Sequence, residues 1–506
     1  METGRTEKMA KTISANILLQ LIIVFSGLIL PRFFLKEYGS EVNGLINSIK
    51  QFMTYFSVVS AGIGIACKTA LFKPLEEKNQ EEINSILSAT NIFFRRSGYI
   101  FICMISALAF FYPMFIQTDI TNIDIILLIL ILSAGSILEY MILNKYRILI
   151  DADQRLYIEA KFQTQGILLN LLFSVVLIKF HSPVLLVQLV AAIVYTIRAF
   201  RIRNYVKREY PQASFNEKVS LSIIPNVKSA SSYQVSNIII SYTPILLITF
   251  IIGLKEVSVY SIYNMVFASL LMIINVFSTG LSSAFGNIYL KKDKILLNRN
   301  VSTYTFLFYS IGFTLYACAY KLILPFINIY TSGIDDINYD QPLLALLFII
   351  NGIIAVIRTP ALTMVEASGM YRENAVLNIG EAVLNIIISI ILTYKLGLVG
   401  VLMGSAIVGS LRTIIYLFFL YSKVVTVSIY KVAMIIISNI FIIKLIKAIP
   451  IQISNNSFID WIGEAIVVFL MSFLLIFTIN SIIDKESFID ILKKIKIIFK
   501  KIMYKK

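Results

Sequence analysis

The chain has 506 residues, of which 58% are hydrophobic and 15% charged, with a formal net charge of +16. A mean hydropathy of +0.81 exceeds what water-soluble cores of this size can hide, so most of the chain is solvated by lipid. Apolar runs of about 18 residues or more recur from end to end, the length a helix needs to cross hydrocarbon, which excludes a barrel of short alternating strands.

Taken in chain order, these runs predict an all-α integral membrane protein of about fourteen spans, near 13–35, 43–70, 91–116, 124–149, 162–180, 183–203, 230–253, 257–284, 302–331, 342–366, 374–394, 397–421, 431–449 and 461–482. The first run is too long for a signal-peptide core and lacks a small-x-small cleavage site, so it is expected to be retained. Lysine and arginine cluster in alternate connections: Arg5, Lys8 and Lys11; Lys73, Lys78, Arg95 and Arg96; Lys145, Arg147, Arg155 and Lys161; Arg198 through Lys228; Lys291, Lys292, Lys294 and Arg299. Cations near span ends are held on the cytoplasmic side, which places both termini there. The last segment, 485–506, alternates apolar and basic residues at helical spacing and suits an amphipathic helix on anionic lipid. Basic clusters scattered between spans form no nucleic-acid groove.

Several chemistries lack their ingredients. Cys67, Cys103 and Cys318 lie in or beside apolar runs with no metal-ligand spacing, and are read as buried hydrophobes outside any disulfide or metal site. The single histidine, His181, is read as a turn residue beside Pro183. No phosphate-binding loop of the kind that drives ATP-dependent pumps occurs, and the short outer connections leave no room for a catalytic loop, so neither an enzyme nor a cofactor is expected.

An internal repeat organises the chain. Gln163, Asn170 and Ser174 of span 5 are answered 215 positions later by Asn378, Asn385 and Ser389 of span 11. The stretch ending at Arg198 is answered by the one ending at Arg412, and the turn with Asp151, Tyr157 and Glu159 by the turn with Glu366, Tyr371 and Glu373. Asn47 is answered by Asn264, each followed by a small-residue patch, at 60–62 and 278–280. The offset skips an even number of spans, so the halves are parallel repeats, one of the plans secondary transporters use. The expected organisation is a six-helix bundle at 1–205, a cytoplasmic linker at 206–229, a second bundle at 230–425, an appended helix pair at 426–482 and the basic tail at 483–506.

Polar residues share helix faces inside the spans. Asn47, Lys50, Thr54 and Ser57 align in span 2, as do Asn264 and Asn275 in span 8; Asn16 and Gln20 align in span 1, and Tyr233 and Asn237 in span 7. Such a stripe faces another helix or water, and its occurrence in matching helices points to a central cavity. Lys50, about 10 Å below the outer boundary, and Arg358, deep in span 10, need a reason to sit in lipid: an anionic substrate, or a structural pair with Glu139 or Glu381. Arg32 lies near the outer end of span 1, where snorkelling competes with a substrate contact. Glu139 and Glu381 are candidates for ion coupling, with H+ or Na+ as the ion, and equally for helix-helix pairing.

The segment LPRFFLKEYGSEVNGLINSIKQFMTYFSVVSAGIGIA at 30–66, the turn EASGMYREN at 366–374 and LGLVGVLMGSAIVG at 396–409 resemble the multidrug/oligosaccharidyl-lipid/polysaccharide exporter superfamily, and within it the Wzx-type polysaccharide-unit flippases. The resemblance implies a protein of the bacterial cytoplasmic membrane that flips undecaprenyl-pyrophosphate-linked oligosaccharides for O-antigen or capsule synthesis. It implies a sugar head in a cationic cavity and a prenyl tail left in lipid, with Lys50 and Arg358 toward the pyrophosphate. The peptidoglycan-precursor flippases and the multidrug/cation antiporters of the same superfamily remain as alternatives.

Overall fold

A computed structural model describes residues 2–224, 227–276, 285–286, 288–289, 293–368, 371–426, 428–449 and 457–503. The described residues contain helices and no strand. Thirteen helical stretches are long and apolar enough to cross a membrane, and the first, Lys11–Ser60, runs for 50 residues. That is about 75 Å of helix against ~30 Å of hydrocarbon. It divides at Gly39, whose φ of 78° and ψ of 176° break the helix α1 (Glu2–Phe56) into two, so the chain is a multi-pass membrane protein with fourteen crossings among the described residues. Only glycine takes such a φ without strain, and a Cβ there would meet Asp336 Oδ2 at 3.3 Å.

The second crossing is discontinuous. The 40–56 arm of α1 passes through a tight turn at Ser57–Ser60, and Gly62, at φ 79°, starts α2 (Ile63–Glu77). The small-residue patch at 60–62 is therefore the site of a break, where the lack of bulky side chains lets the chain depart from helical geometry. The matching patch at 278–280 lies outside the described residues.

The remaining helices follow the apolar runs: α3 (Gln80–Phe115), α4 (Asn122–Leu138), α5 (Asn144–Ala152), α6 (Leu156–Lys179), α7 (Val184–Glu209), α8 (Val227–Ile251) and α9 (Leu254–Val276). After them come α10 (Lys294–Tyr330), α11 (Pro342–Ala367), α12 (Tyr371–Leu396), α13 (Leu398–Phe419), α14 (Ile429–Ala448), α15 (Phe458–Ile483) and α16 (Lys485–Met503). A π-helical turn at Glu139–Leu143 joins α4 to α5 within one crossing.

The chain packs as two compact units, residues 1–261 with 333–337, and residues 262–332 with 338–506. The first has a core built around Leu45, Ile49, Leu87, Phe101, Tyr112 and Ile125. Its 210–224 segment is tied to α3: Asn91 Nδ2 donates to the Phe215 carbonyl at 2.9 Å, and the Glu217 amide donates to Ser88 Oγ at 3.0 Å. In the second unit α10 is the axis, packing against α11, α14, α15 and α16. Its seam with α11 depends on small residues, since a Cβ on Gly352 would lie 2.0 Å from the Tyr316 ring and one on Gly312 2.6 Å from Val356. The pair α14 and α15 rests on this axis, with Trp461 Nε1 donating to the Leu322 carbonyl at 3.2 Å.

Candidate functional site

Within the first unit a cavity of about 180 Å³ opens beside Lys50. The 40–56 arm of α1 contributes Asn43, Asn47 and Lys50, α6 contributes Asn170 and Ser174, and α7 contributes Gln188 and Tyr195. Because the arm begins at residue 40, Lys50 stands about 15 Å along the helix from the Gly39 turn, within a membrane-spanning stretch. Its side chain is exposed, and among the described residues no carboxylate pairs with it. Among the described residues, Lys50 is also the only charged one lining this cavity. The site thus presents one ammonium, several amides and a phenol, which together donate to oxyanions and exchange hydrogen bonds with hydroxyls.

Asn47 is oriented by its own helix, donating to the Asn43 carbonyl at 2.9 Å. Asn43 is held by a buried bond from its Nδ2 to Ser258 Oγ at 2.7 Å. Close approach of the chain fixes this region, because a Cβ on Gly44 would fall 1.8 Å from the Leu254 carbonyl oxygen. Thr54 bonds back to the Lys50 carbonyl at 2.9 Å and is not part of the lining. Arg32 also lies outside the lining, although its neighbour Pro31 belongs to it. Asn264 and Asn275 belong to the second unit, Asn264 half-buried and Asn275 exposed.

The intramembrane carboxylates are paired with arginines. Glu139 meets Arg198 Nη2 at 3.2 Å. In the second unit Glu381 meets Arg358 Nη1 at 3.0 Å through one oxygen and Arg412 Nη1 through the other. Arg412 donates further to Asn378 Oδ1 and, at 2.7 Å, to Tyr416 OH, which in turn donates to Asn374. Glu381 and Arg412 are buried, and Arg358 is 23% exposed, so the one open edge of the cluster is cationic.

The repeat explains this arrangement. Position 381 corresponds to Gly166 in the first half at the same offset of 215 that relates Asn170 to Asn385. A Cβ on Gly166 would lie 3.9 Å from Arg198 Cδ, so both repeat arginines lie against the same helical position. In one half that position holds the carboxylate; in the other it is bare and Glu139, from the end of α4, supplies the charge. A second difference follows between α6–α7 and α12–α13. Asn385 is closed off by donating to Ser405 Oγ at 3.3 Å and Gly404 packs on Ser389, whereas Asn170 and Ser174 line the cavity.

Asn170, Ser174, Gln188 and Tyr195 were not singled out as binding residues by the polar stripes of spans 1, 2, 7 and 8. A sufficient signal was present in Asn170 and Ser174 at i, i+4 and in Gln188 and Tyr195 two turns apart. His181 occupies a left-handed position, φ 51°, just beyond α6, and pairs with Glu37 at 2.7 Å. Cys67 and Cys318 are buried, but Cys103, expected to be buried, is exposed on α3, where an apolar side chain meets lipid at no cost.

No protein-family model matches the chain, and no curated protein matches it. Its fold, however, is shared with solved transporters. The lipid II flippase MurJ in an inward closed conformation superposes with a TM-score of 0.67 at 14% identity, covering 94% of this chain and 99% of that one. A multidrug-resistance MATE-family transporter of the MOP superfamily, inward-facing, gives 0.58 at 14% identity over 88% of this chain and 100% of that one. A MOP-superfamily transporter from Pyrococcus furiosus gives 0.52 at 13% identity over 81% and 92%. The architecture of the described residues is therefore the fold that these solved transporters share.

Proposed function

We propose that the protein is a flippase of the bacterial cytoplasmic membrane, with both termini cytoplasmic, which moves a polyprenyl-pyrophosphate-linked oligosaccharide by alternating access coupled to H+ or Na+. The observation that carries this reading is Lys50, an exposed cation without a carboxylate partner among the described residues, in a cavity otherwise lined by amides, a serine hydroxyl, a phenol and apolar groups. A charge at that depth costs at least ~2.5 kcal/mol unless it is solvated or paired, and a pyrophosphate is the kind of partner that offsets the cost in transit. Amides at Asn43, Asn47, Asn170 and Gln188 suit the hydroxyls of an attached sugar. A positive site disfavours an antiporter for cationic drugs.

The second reading, a flippase for the peptidoglycan lipid precursor, is favoured by the extent of the likeness to MurJ, which covers 99% of that protein. Proteoliposomes decide between them. Purified protein is supplied with lipid-linked O-antigen or capsule units, with lipid II, or with a cationic dye, and the appearance of headgroup on the opposite leaflet is followed. Movement of the polysaccharide units and exclusion of the dye is the expected result; movement of lipid II alone selects the second reading, and movement of the dye alone overturns both.

A further inference from the structure

The amphipathic helix α16 does more than lie along a surface. It is held to the rest of the second unit: Asp484, just before it, pairs with Lys431 at 2.6 Å and accepts from Ser302 Oγ at 3.1 Å, and Asp490 pairs with Arg299 and, within the helix, with Lys494 at 2.7 Å. Thr303 Oγ1 also donates to Asp490 at 3.0 Å. Docked this way, α16, the first turns of α10 and the start of α14 enclose a pocket of about 680 Å³. Among its lining residues are Arg299, Lys431 and Lys493 against Glu486 and Asp490, a surplus of one positive charge, together with the hydroxyls of Ser302, Thr426 and Ser428.

Two properties of this pocket identify its ligand. Lys493 reaches it without any ion pair among the described residues, whereas the acids Asp484 and Asp490 are already matched by cations. Ile489, in the lining, and Leu492, one turn on and outside it, are 48% and 50% exposed and form an apolar step beside Lys493, next to the charged starts of α10 and α14. A soluble anion accounts for the cation but leaves the apolar step without a role; an anionic amphipath accounts for both. We propose that the pocket binds the phosphodiester headgroup of an anionic phospholipid, such as phosphatidylglycerol, with Lys493 and the hydroxyls of Thr426 and Ser428 on the phosphate and an acyl chain along Ile489 and Leu492. The ligand belongs to the leaflet and is not transported, so the proposal stands apart from the reading of the Lys50 cavity.

Native mass spectrometry of the full-length protein, extracted in detergent with equal phosphatidylglycerol and phosphatidylcholine, tests the proposal. Phosphatidylglycerol should be retained in preference. Lys493→Gln should weaken that retention about fivefold, the usual worth of one basic residue at an anionic surface, and Lys493→Glu more so. Leu492→Gln should weaken retention too, which separates a lipid from a bare phosphate. Thermal melting should not move in these variants, because both side chains are exposed and make none of the clamp contacts. Equal retention of the two lipids, or an unchanged preference in Lys493→Glu, overturns the proposal. Displacement of phosphatidylglycerol by inorganic phosphate, with Leu492→Gln behaving as wild type, overturns it in favour of a soluble-phosphate site.

Discussion

Replacing Lys50 with alanine removes the only charge that, among the described residues, lines the cavity beside it in the first unit. A hydrogen bond to a charged group is worth ~1.5–3 kcal/mol, which is about a tenfold to hundredfold change in binding. The lysine is open to the cavity, so part of its field is screened by water, and the loss should fall near the tenfold end. Lys50→Arg should keep much of the activity, because the charge remains while the bonding geometry changes. Lys50→Glu should be worst, placing like charges together. Folding should be little affected, since no carboxylate pairs with Lys50 among the described residues. The assay is translocation of a pyrophosphate-linked glycolipid in proteoliposomes at matched protein content, with initial rates measured below saturation. Full transport by both Lys50→Ala and Lys50→Glu would refute the argument that this cation holds the pyrophosphate.

Three further outcomes follow from the packing. Glu381→Gln leaves Arg358 and Arg412 facing each other without their shared carboxylate and should cost about 3–5 kcal/mol, read as a lower Tm in detergent; the double variant Glu381→Gln, Arg358→Gln should recover part of it, and no recovery would show that the pair is not a structural brace. Gly352→Leu forces a side chain into the Tyr316 ring and should lower Tm at least as much as a typical overpacked core, ~1–3 kcal/mol, while Gly380→Ala, which meets open space, should not. Burial pushes the Asp490 carboxyl up, but the bonds from Lys494, Thr303 and Arg299 outweigh it and hold it below the usual carboxylate range. This depression contributes stability to the clamp that is fully present above the ordinary carboxylate pKa and is lost as pH falls through the lower folded value, so α16 should become protease-sensitive only in acid below the ordinary carboxylate range, with Asp490→Asn sensitive at every pH.

The crossings and the helical class were legible because a bilayer demands long, continuously apolar segments, and the runs supply them one after another. The same pattern could not show that the second crossing starts at residue 40 and breaks at 57–62, since Gly39 and Gly62 act through backbone angles that hydrophobicity does not record. Periodicity placed Asn47 and Lys50 on one face of their helix. Which residues stand opposite is a property of packing, and it took the tertiary structure to bring Asn170, Gln188 and Tyr195 from α6 and α7 to that face. Charge illustrates the limit most clearly. The sequence offered Glu381 as a partner for Arg358 and marked Arg412 only as the repeat counterpart of Arg198, whereas the fold sets one carboxylate between both arginines. Spacing along one helix fixes the direction a side chain points; only the approach of a second and third helix decides what it meets, because that contact depends on small residues such as Gly404 that let the helices close.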